Sequence, residues 1–118
     1  MQKLISWVEI PAVNFDKAVK FYNAVFKLNL QKADFGLEKM ACFPNDEGAI
    51  SFSENFKPSK NGVLVSLSAP DTIEATLQRI EDNGGEIIQA KTKIEAEGRD
   101  YFAIFIDSEG NKIGIYGK

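Results

Sequence analysis

Glu9 is the side chain of this 118-residue sequence best placed to do chemistry, because it lies in an apolar run beside an indole. The run Leu4-Ile5-Ser6-Trp7-Val8-Glu9-Ile10 has the β-branched and aromatic composition of a strand. Since strand side chains alternate between faces, Trp7 and Glu9 are predicted to share one face. There Glu9 could act as a general base, a general acid or an anchor for a cationic ligand. The alternative is a structural carboxylate, either paired with a Lys or Arg or at a strand end in water.

Histidine is absent from the sequence, and the one cysteine is Cys42. Zinc, iron and nickel sites need several nitrogen, sulfur or carboxylate ligands together. We therefore predict no catalytic metal and no cofactor. A single cysteine cannot form an internal disulfide, and within its apolar segment Cys42 is predicted to be a buried, inert thiol.

Composition and charge indicate an ordinary globular protein, with 44% hydrophobic and 26% charged residues. The net charge of −3 gives no basic surface for nucleic acid. No apolar run reaches the roughly 18 residues that span a bilayer, and the N-terminus has no signal-peptide pattern. These features predict one cytoplasmic domain over residues 1–118, without nucleic-acid or membrane contacts.

The two halves of the chain share one order of predicted elements, β-α-β-β-β. A strand at 3–10 precedes a helix at about 14–26, in which these apolar residues recur at helical spacing: Phe15, Ala18, Val19, Phe21, Tyr22, Val25 and Phe26. Three strands follow at 27–33, 37–43 and 49–53. After a polar linker at 54–61, the second half has predicted elements at 62–68, 71–83 (the helix), 85–93, 100–106 and 112–117. The modules therefore cover about 1–55 and 62–118.

An acidic turn that contains glycine precedes the last strand of each half. The turns are Asn45-Asp46-Glu47-Gly48 and Asp107-Ser108-Glu109-Gly110-Asn111. We interpret Asp107, Gly110 and Asn111 as turn chemistry, because Gly and Asn tolerate a left-handed backbone and Asp caps it. Tyr22 is predicted to pack in its helix with the hydroxyl at the rim.

The sequence resembles the vicinal oxygen chelate superfamily of glyoxalases, bleomycin resistance proteins and extradiol dioxygenases. The resemblance is carried by Val8-Glu9-Ile10-Pro11, the stretch from Asn14 to Tyr22, Val25-Phe26, and the stretch from Tyr101 to Gly114. It is similar in detail to a small bacterial branch described as predicted enzymes related to lactoylglutathione lyase. The resemblance implies an α+β fold in which two tandem βαβββ modules form an open eight-stranded cup with helices outside.

In metalloenzymes of this superfamily, His and Glu side chains from the first and last strands of each module hold a divalent ion. The corresponding positions here are Trp7, Ser51, Val65 and Gly114, which do not form a ligand set. The resemblance thus implies a cup without a metal, lined by the candidate ligand-binding residues Trp7, Glu9, Ser51, Val65, Gly114 and Tyr116. Tyr101 is expected either to line the mouth of the cup or to pair across strands.

These features predict a protein that binds a small organic molecule in its cup without a tightly bound metal. The alternatives are a lyase or isomerase that uses Glu9 as acid or base, a metalloenzyme with carboxylate ligands, and a subunit or regulator that has lost its site. The resemblance also implies a homodimer. The sequence leaves open whether each cup forms within one chain or between two.

Overall fold

The computed structural model describes residues 3–118 as two modules in tandem. The first contains β1 (Val8–Pro11), α1 (Phe15–Phe26), β2 (Lys32–Asp34), β3 (Lys39–Cys42), a short 3-10 helix (Pro44–Asp46) and β4 (Gly48–Phe52). The second contains β5 (Val65–Ser68), α2 (Ile73–Asp82), β6 (Glu86–Lys93), β7 (Tyr101–Ile106) and β8 (Lys112–Gly117). The predicted α+β fold of two βαβββ modules is confirmed.

Each module forms one four-stranded sheet, and the two sheets have the same topology. The strand order is β1-β4-β3-β2 in the first sheet and β5-β8-β7-β6 in the second. The β1–β4 and β5–β8 pairs are parallel, and the other pairs are antiparallel. Both sheets are open, with β1 and β5 at an edge, as the cup architecture requires.

Local sequence explains where the two helices begin. The Asn14 side chain accepts a hydrogen bond of 3.1 Å from the Lys17 amide, and the Thr72 hydroxyl accepts one of 3.1 Å from the Ala75 amide. Both residues are therefore N-caps, and they satisfy backbone donors that lack a partner in the first turn. All seven apolar residues predicted to face the core from α1 are buried. Neither helix within residues 3–118 combines the length and the apolar character needed to cross a membrane.

The two modules share one hydrophobic core. Each sheet has one face against the helices, here called its helix-covered face, and the other is called its open face. The first sheet contributes Ile10, Ala41 and Ile50 to the core, and the second contributes Ala103, Phe105, Ile113 and Ile115. The ring centre of Phe105 in the second module lies 6.2 Å from that of Phe21 and 6.2 Å from that of Phe26, both in α1. Helix α1 thus packs against both modules.

A polar contact between the helices also joins the modules. Arg79 of α2 donates through Nε to the backbone oxygen of Val25 at 2.8 Å. Its two other nitrogens donate to the Asp71 carboxylate at 3.0 and 2.8 Å, and Lys27 approaches the same carboxylate at 2.9 Å. Hydrogen bonds from Arg79 and then Lys27 hold the pKa of Asp71 below its ordinary value.

The first strand of each module is shorter than its composition predicts. The strands predicted over 3–10 and 62–68 begin only at Val8 and Val65. The residues before them are exposed, with Leu4 at 96% and Val63 at 90%. A strand needs a backbone partner. Both β1 and β5 are edge strands, and their neighbours β4 and β8 pair only with Val8–Pro11 and Val65–Ser68.

Candidate functional site

Glu9 and Ser51 lie on the open face of the first sheet. The register of β1 and β4 aligns Glu9 with Ala49 and Pro11 with Ser51, so all four residues point to the same side. Ile10, between them, points to the core. Glu9 is exposed, whereas Ser51 is buried. Trp7 precedes β1 and is 39% exposed.

Gly114 and Tyr116 lie on the open face of the second sheet. Gly114 aligns with Ser66 of β5 and Tyr116 with Ser68, so these residues share one side. A side chain at Gly114 would collide with the hydroxyl of Ser66, which confirms that both positions face the same way. On β7, the residues aligned with this pair are Ile104 and Phe102. Sequence reasoning did not single out Ser66, Ser68, Phe102 or Ile104. Period-two alternation could have identified all four once the register was known.

Val65 lies on the opposite side of its sheet from the predicted one, and Tyr101 follows one of its two predicted alternatives. Val65 aligns with Ile113, a core residue, so the prediction that Val65 and Gly114 point the same way is wrong. A shift of one residue in the alignment moves every side chain of a strand to the other face. Tyr101 shares its side of β7 with core residues. It pairs across strands with Lys93, which is the second of the two predicted alternatives.

Two lysines cover the ring of Tyr101. The ammonium nitrogens of Lys91 and Lys93 lie 4.4 and 5.1 Å from the ring centre. Lys91 also contacts Glu74 on α2 at 3.2 Å. These contacts place Tyr101 at the border of the core, away from the open face that holds Tyr116. The ligand-binding roles of Trp7, Glu9, Ser51, Gly114 and Tyr116 stay predictions.

Metal-binding groups do not gather around the open faces. Within residues 3–118 there is no cluster of three or more His, Cys, Asp or Glu side chains that could hold an ion. At the positions where the superfamily resemblance places ligands, Ser51 offers one hydroxyl and Gly114 offers no side chain. The residues present therefore do not fit a divalent ion at this place. The thiol of Cys42 is exposed, so its predicted burial is wrong.

A cavity of about 530 Å³ lies between β1 and β5, on the helix-covered side of the sheets. Of the predicted site residues, it contacts Val65 alone. Its apolar lining includes Val8, Tyr22, Phe26, Leu28, Phe43, Val65 and Leu67, and its polar rim includes Lys3, Asn45, Asp46, Glu47, Ser66 and Ser68. Sequence patterns could not find it, because it is formed by residues from both modules.

A buried hydrogen-bond network joins the last turn of the chain to the first module. Tyr22 donates through its hydroxyl to Asp107 Oδ2 at 2.6 Å. Asn111 Nδ2 lies 3.0 Å from the same oxygen and donates to the carbonyl of Pro11 at 2.8 Å. Asp107 Oδ1 accepts from the amides of Glu109 and Asn111, each at 2.9 Å. Together these bonds satisfy a buried carboxylate and link it to two residues of the first module, to Tyr22 directly and to Pro11 through Asn111.

Two further observations define this network. Gly110 has φ of +100°, as the predicted turn requires. Glu109 Oε1 accepts from the amides of Val13 and Asn14, at 2.8 and 2.6 Å, at the start of α1.

Burial raises the pKa of Tyr22 well above its ordinary value, and the Asp107 carboxylate raises it further. The prediction of a rim hydroxyl on Tyr22 is wrong, because that residue is 1% exposed.

Comparison with known proteins places the chain in a family. The sequence signature of the Glyoxalase/Bleomycin resistance protein/Dioxygenase superfamily matches residues 4–115. The chain belongs to this superfamily. A glyoxylase-like domain-containing protein from Didymella fabae is 29% identical to this superfamily member over 120 residues, 94% of this chain and 91% of that one.

Solved structures share the fold of this chain at low sequence identity. A glyoxalase/bleomycin resistance protein from Albidiferax ferrireducens superposes with a TM-score of 0.70 at 19% identity, covering 98% of this chain and 99% of that one. A genomically encoded fosfomycin resistance protein, FosX, from Listeria monocytogenes gives a TM-score of 0.64 at 16% identity, covering 100% and 93%. At these identities the likeness shows the fold alone.

Proposed function

We propose that this superfamily member binds a small organic molecule against the open faces of its sheets, without a tightly bound metal. The composition of those faces carries the proposal. One face offers the carboxylate of Glu9, with the buried Ser51 on the same side, and the other offers the ring of Tyr116 beside Phe102 and Ile104. An apolar surface with a few polar groups is typical of small-molecule sites.

A homodimer in the cytoplasm is part of the proposal. Each open face lies on the side of its sheet away from the shared core, where a second copy could pack against it. The exposed side chains of Leu4 and Val63, just before the edge strands, support such a contact because edge strands need cover. We expect Leu4→Glu with Val63→Glu to shift the dimer towards monomer in sedimentation velocity. Leu37→Glu, at an equally exposed residue of the β2–β3 turn, is the control and should leave the dimer intact.

Thermal unfolding in a screen of small organic acids, amines and aromatic compounds tests binding. The protein must carry no histidine tag, because a tag would supply the imidazoles that this chain lacks. Compounds that bind should raise the Tm equally with and without EDTA, since binding to the folded state stabilises it. Tyr116→Ala should reduce the shift, and Glu38→Gln, at an exposed residue elsewhere, should not. A shift that requires a divalent ion would contradict the proposal.

Catalysis by Glu9, as in a lyase or isomerase, is the second candidate. The Glu9 carboxylate has no hydrogen-bond or ion-pair partner within residues 3–118, so it is free to accept a proton from a bound molecule. If it is the catalytic acid or base, Glu9→Gln should lower turnover of a substrate by a factor of about 100 or more and leave its binding intact. Equal losses in binding and turnover would indicate an anchor. A carboxylate-ligated metalloenzyme gains no support from the described residues.

A further inference from the structure

We propose that the 530 Å³ cavity between β1 and β5 is a second small-molecule site, selective for an organic amine with an apolar body. This cavity lies mainly on the helix-covered side of the sheets, and of the open-face residues named above it contacts only Ser66 and Ser68 at its rim. Val8, Val65 and Leu67 face it from the helix-covered sides, and Glu9 and Ser51 point the other way. Its volume lies within the range of about 300–1,000 Å³ found for ligand sites.

The floor of the cavity suits an apolar body. Tyr22 and Phe26 of α1 are buried beneath it, and Leu28, Phe43 and Leu67 are partly exposed around it. An alkyl or aryl group that covered these side chains would remove their remaining apolar surface from water, which favours binding.

The rim of the cavity suits a cation. Asp46 and Glu47 are exposed there, and neither carboxylate has an ion-pair or hydrogen-bond partner in the part of the chain from residue 3 onward. Lys3 is the one basic residue in the lining, so the rim has a net charge of −1. An ammonium group at the end of an apolar body would therefore meet a complementary charge.

The backbone at the rim has an uncommon conformation in the two residues before Glu47. Asn45 and Asp46 have φ of 62° and 55°, so two consecutive residues other than glycine are left-handed. Such conformations persist only where the surrounding structure fixes them, and they are enriched around binding sites. Here they fix the direction of the chain at the mouth of an apolar cavity.

Three matched probes test the proposal: 4-phenylbutylamine, 4-phenylbutanol and 4-phenylbutyrate. Titrations followed by ¹H–¹⁵N NMR should shift the amide signals of Leu28, Phe43 and Leu67 with the amine. We expect the amine to bind about fivefold more tightly than the alcohol at low salt, and the acid to bind least, since exposed charge pairs contribute modestly. The preference should shrink as salt is added.

Two double variants separate charge at the rim from net charge. Asp46→Asn with Glu47→Gln should remove the preference for the amine and leave the affinity for the alcohol unchanged. Glu38→Gln with Glu54→Gln, which removes the same charge from exposed residues outside the cavity, should keep the preference. Glu9→Gln should also keep it, which distinguishes this site from the open face.

Several outcomes would overturn the proposal. Equal affinity of amine and alcohol, or a preference that survives the Asp46 and Glu47 changes, would exclude selection by the rim. Signals that shift around Ser51 and Tyr116 instead would place the probe on the open faces. Binding that appears only when dilution separates a dimer would show that a second copy fills the cavity.

Discussion

The two acidic turns of this chain have similar sequences and opposite environments. In Asn45–Gly48 the three polar residues are exposed, and none of their side chains has a hydrogen bond within residues 3–118. In the turn from Asp107 to Asn111, the two end residues are 4% and 5% exposed, and their side chains contact the first module. One turn borders a cavity, and the other joins the two halves of the molecule.

The difference shows that the elements packed against a repeated turn, more than its local sequence, decide the role of that turn. Helix α1 begins beside the second turn, so Glu109 accepts from the two amides that immediately precede the helix, and Tyr22 reaches Asp107. The first turn faces the gap between the edge strands β1 and β5 instead. Burial makes each bond of the second turn necessary, because an unpaired polar group away from water is costly.

The largest expected effect follows loss of the carboxylate at the centre of the buried network. Asp107→Ala removes an acceptor of four hydrogen bonds and leaves Tyr22 and Asn111 without their partner. We expect the free energy of unfolding to fall by about 3 kcal/mol or more, measured by urea denaturation at pH 7. Ser108→Ala, in the same turn, is the control. A loss as small as that of the control would mean that the network does not stabilise the fold.

The next effect tests the link from this turn to Pro11. Asn111→Ala removes the donor to the Pro11 carbonyl and the acceptor of the Ser59 amide at 3.2 Å. The expected loss is about 2 kcal/mol in the same assay. Asn61→Ala, the same change at an exposed residue, should cost less than about 0.5 kcal/mol. Equal losses in the two variants would argue against a special role for Asn111.

A pH dependence follows from the buried phenol. The folded-state pKa of Tyr22 is raised above the ordinary value near 10, so its stabilising effect is complete below that pH and is lost as pH rises through the folded value. Tyr22→Phe should cost about 1–2 kcal/mol at pH 7. Above pH 10 the two proteins should converge in urea denaturation. Tyr116→Phe is the control, and its free energy of unfolding should still fall at alkaline pH as that of the unchanged protein does.

The smallest effect is expected in the first turn. Asp46→Ala and Glu47→Ala remove carboxylates without partners in the described chain, so each should change the free energy of unfolding by less than about 0.5 kcal/mol. Urea denaturation at pH 7 is again the measurement. A loss comparable with that of Asp107→Ala would show that the two turns are equivalent and would remove the contrast between them.

Sequence patterns predicted the elements of the fold better than the contacts between them. The helical spacing from Phe15 to Phe26 identified the buried side of α1, because that spacing depends on one element. The order of helices and strands along the chain followed from the repeat, although the strand predicted over 27–33 overlaps β2 at only two residues. The partner of Tyr22 did not, because Asp107 is 85 residues away and no local pattern joins the two.

The candidate site was harder to predict because strand faces depend on register. Glu9 and Ser51 were placed on one face correctly, since β1 and β4 pair without irregularity there. Val65 was placed on the wrong face by an alignment that was one residue out of step with β8. The cavity near Leu67 lay beyond prediction, because it depends on how the two modules pack.

The capping of α1 by Glu109 has a consequence for synthesis of the chain. A hydrogen bond between residues 95 positions apart means that the start of the first helix receives this contact only after most of the second module has been translated. Domains tend to fold from the N-terminus as they emerge from the ribosome. The first module therefore emerges before the residue that accepts these two hydrogen bonds, so a nascent chain exposes the start of α1 to chaperones and proteases until Glu109 has emerged.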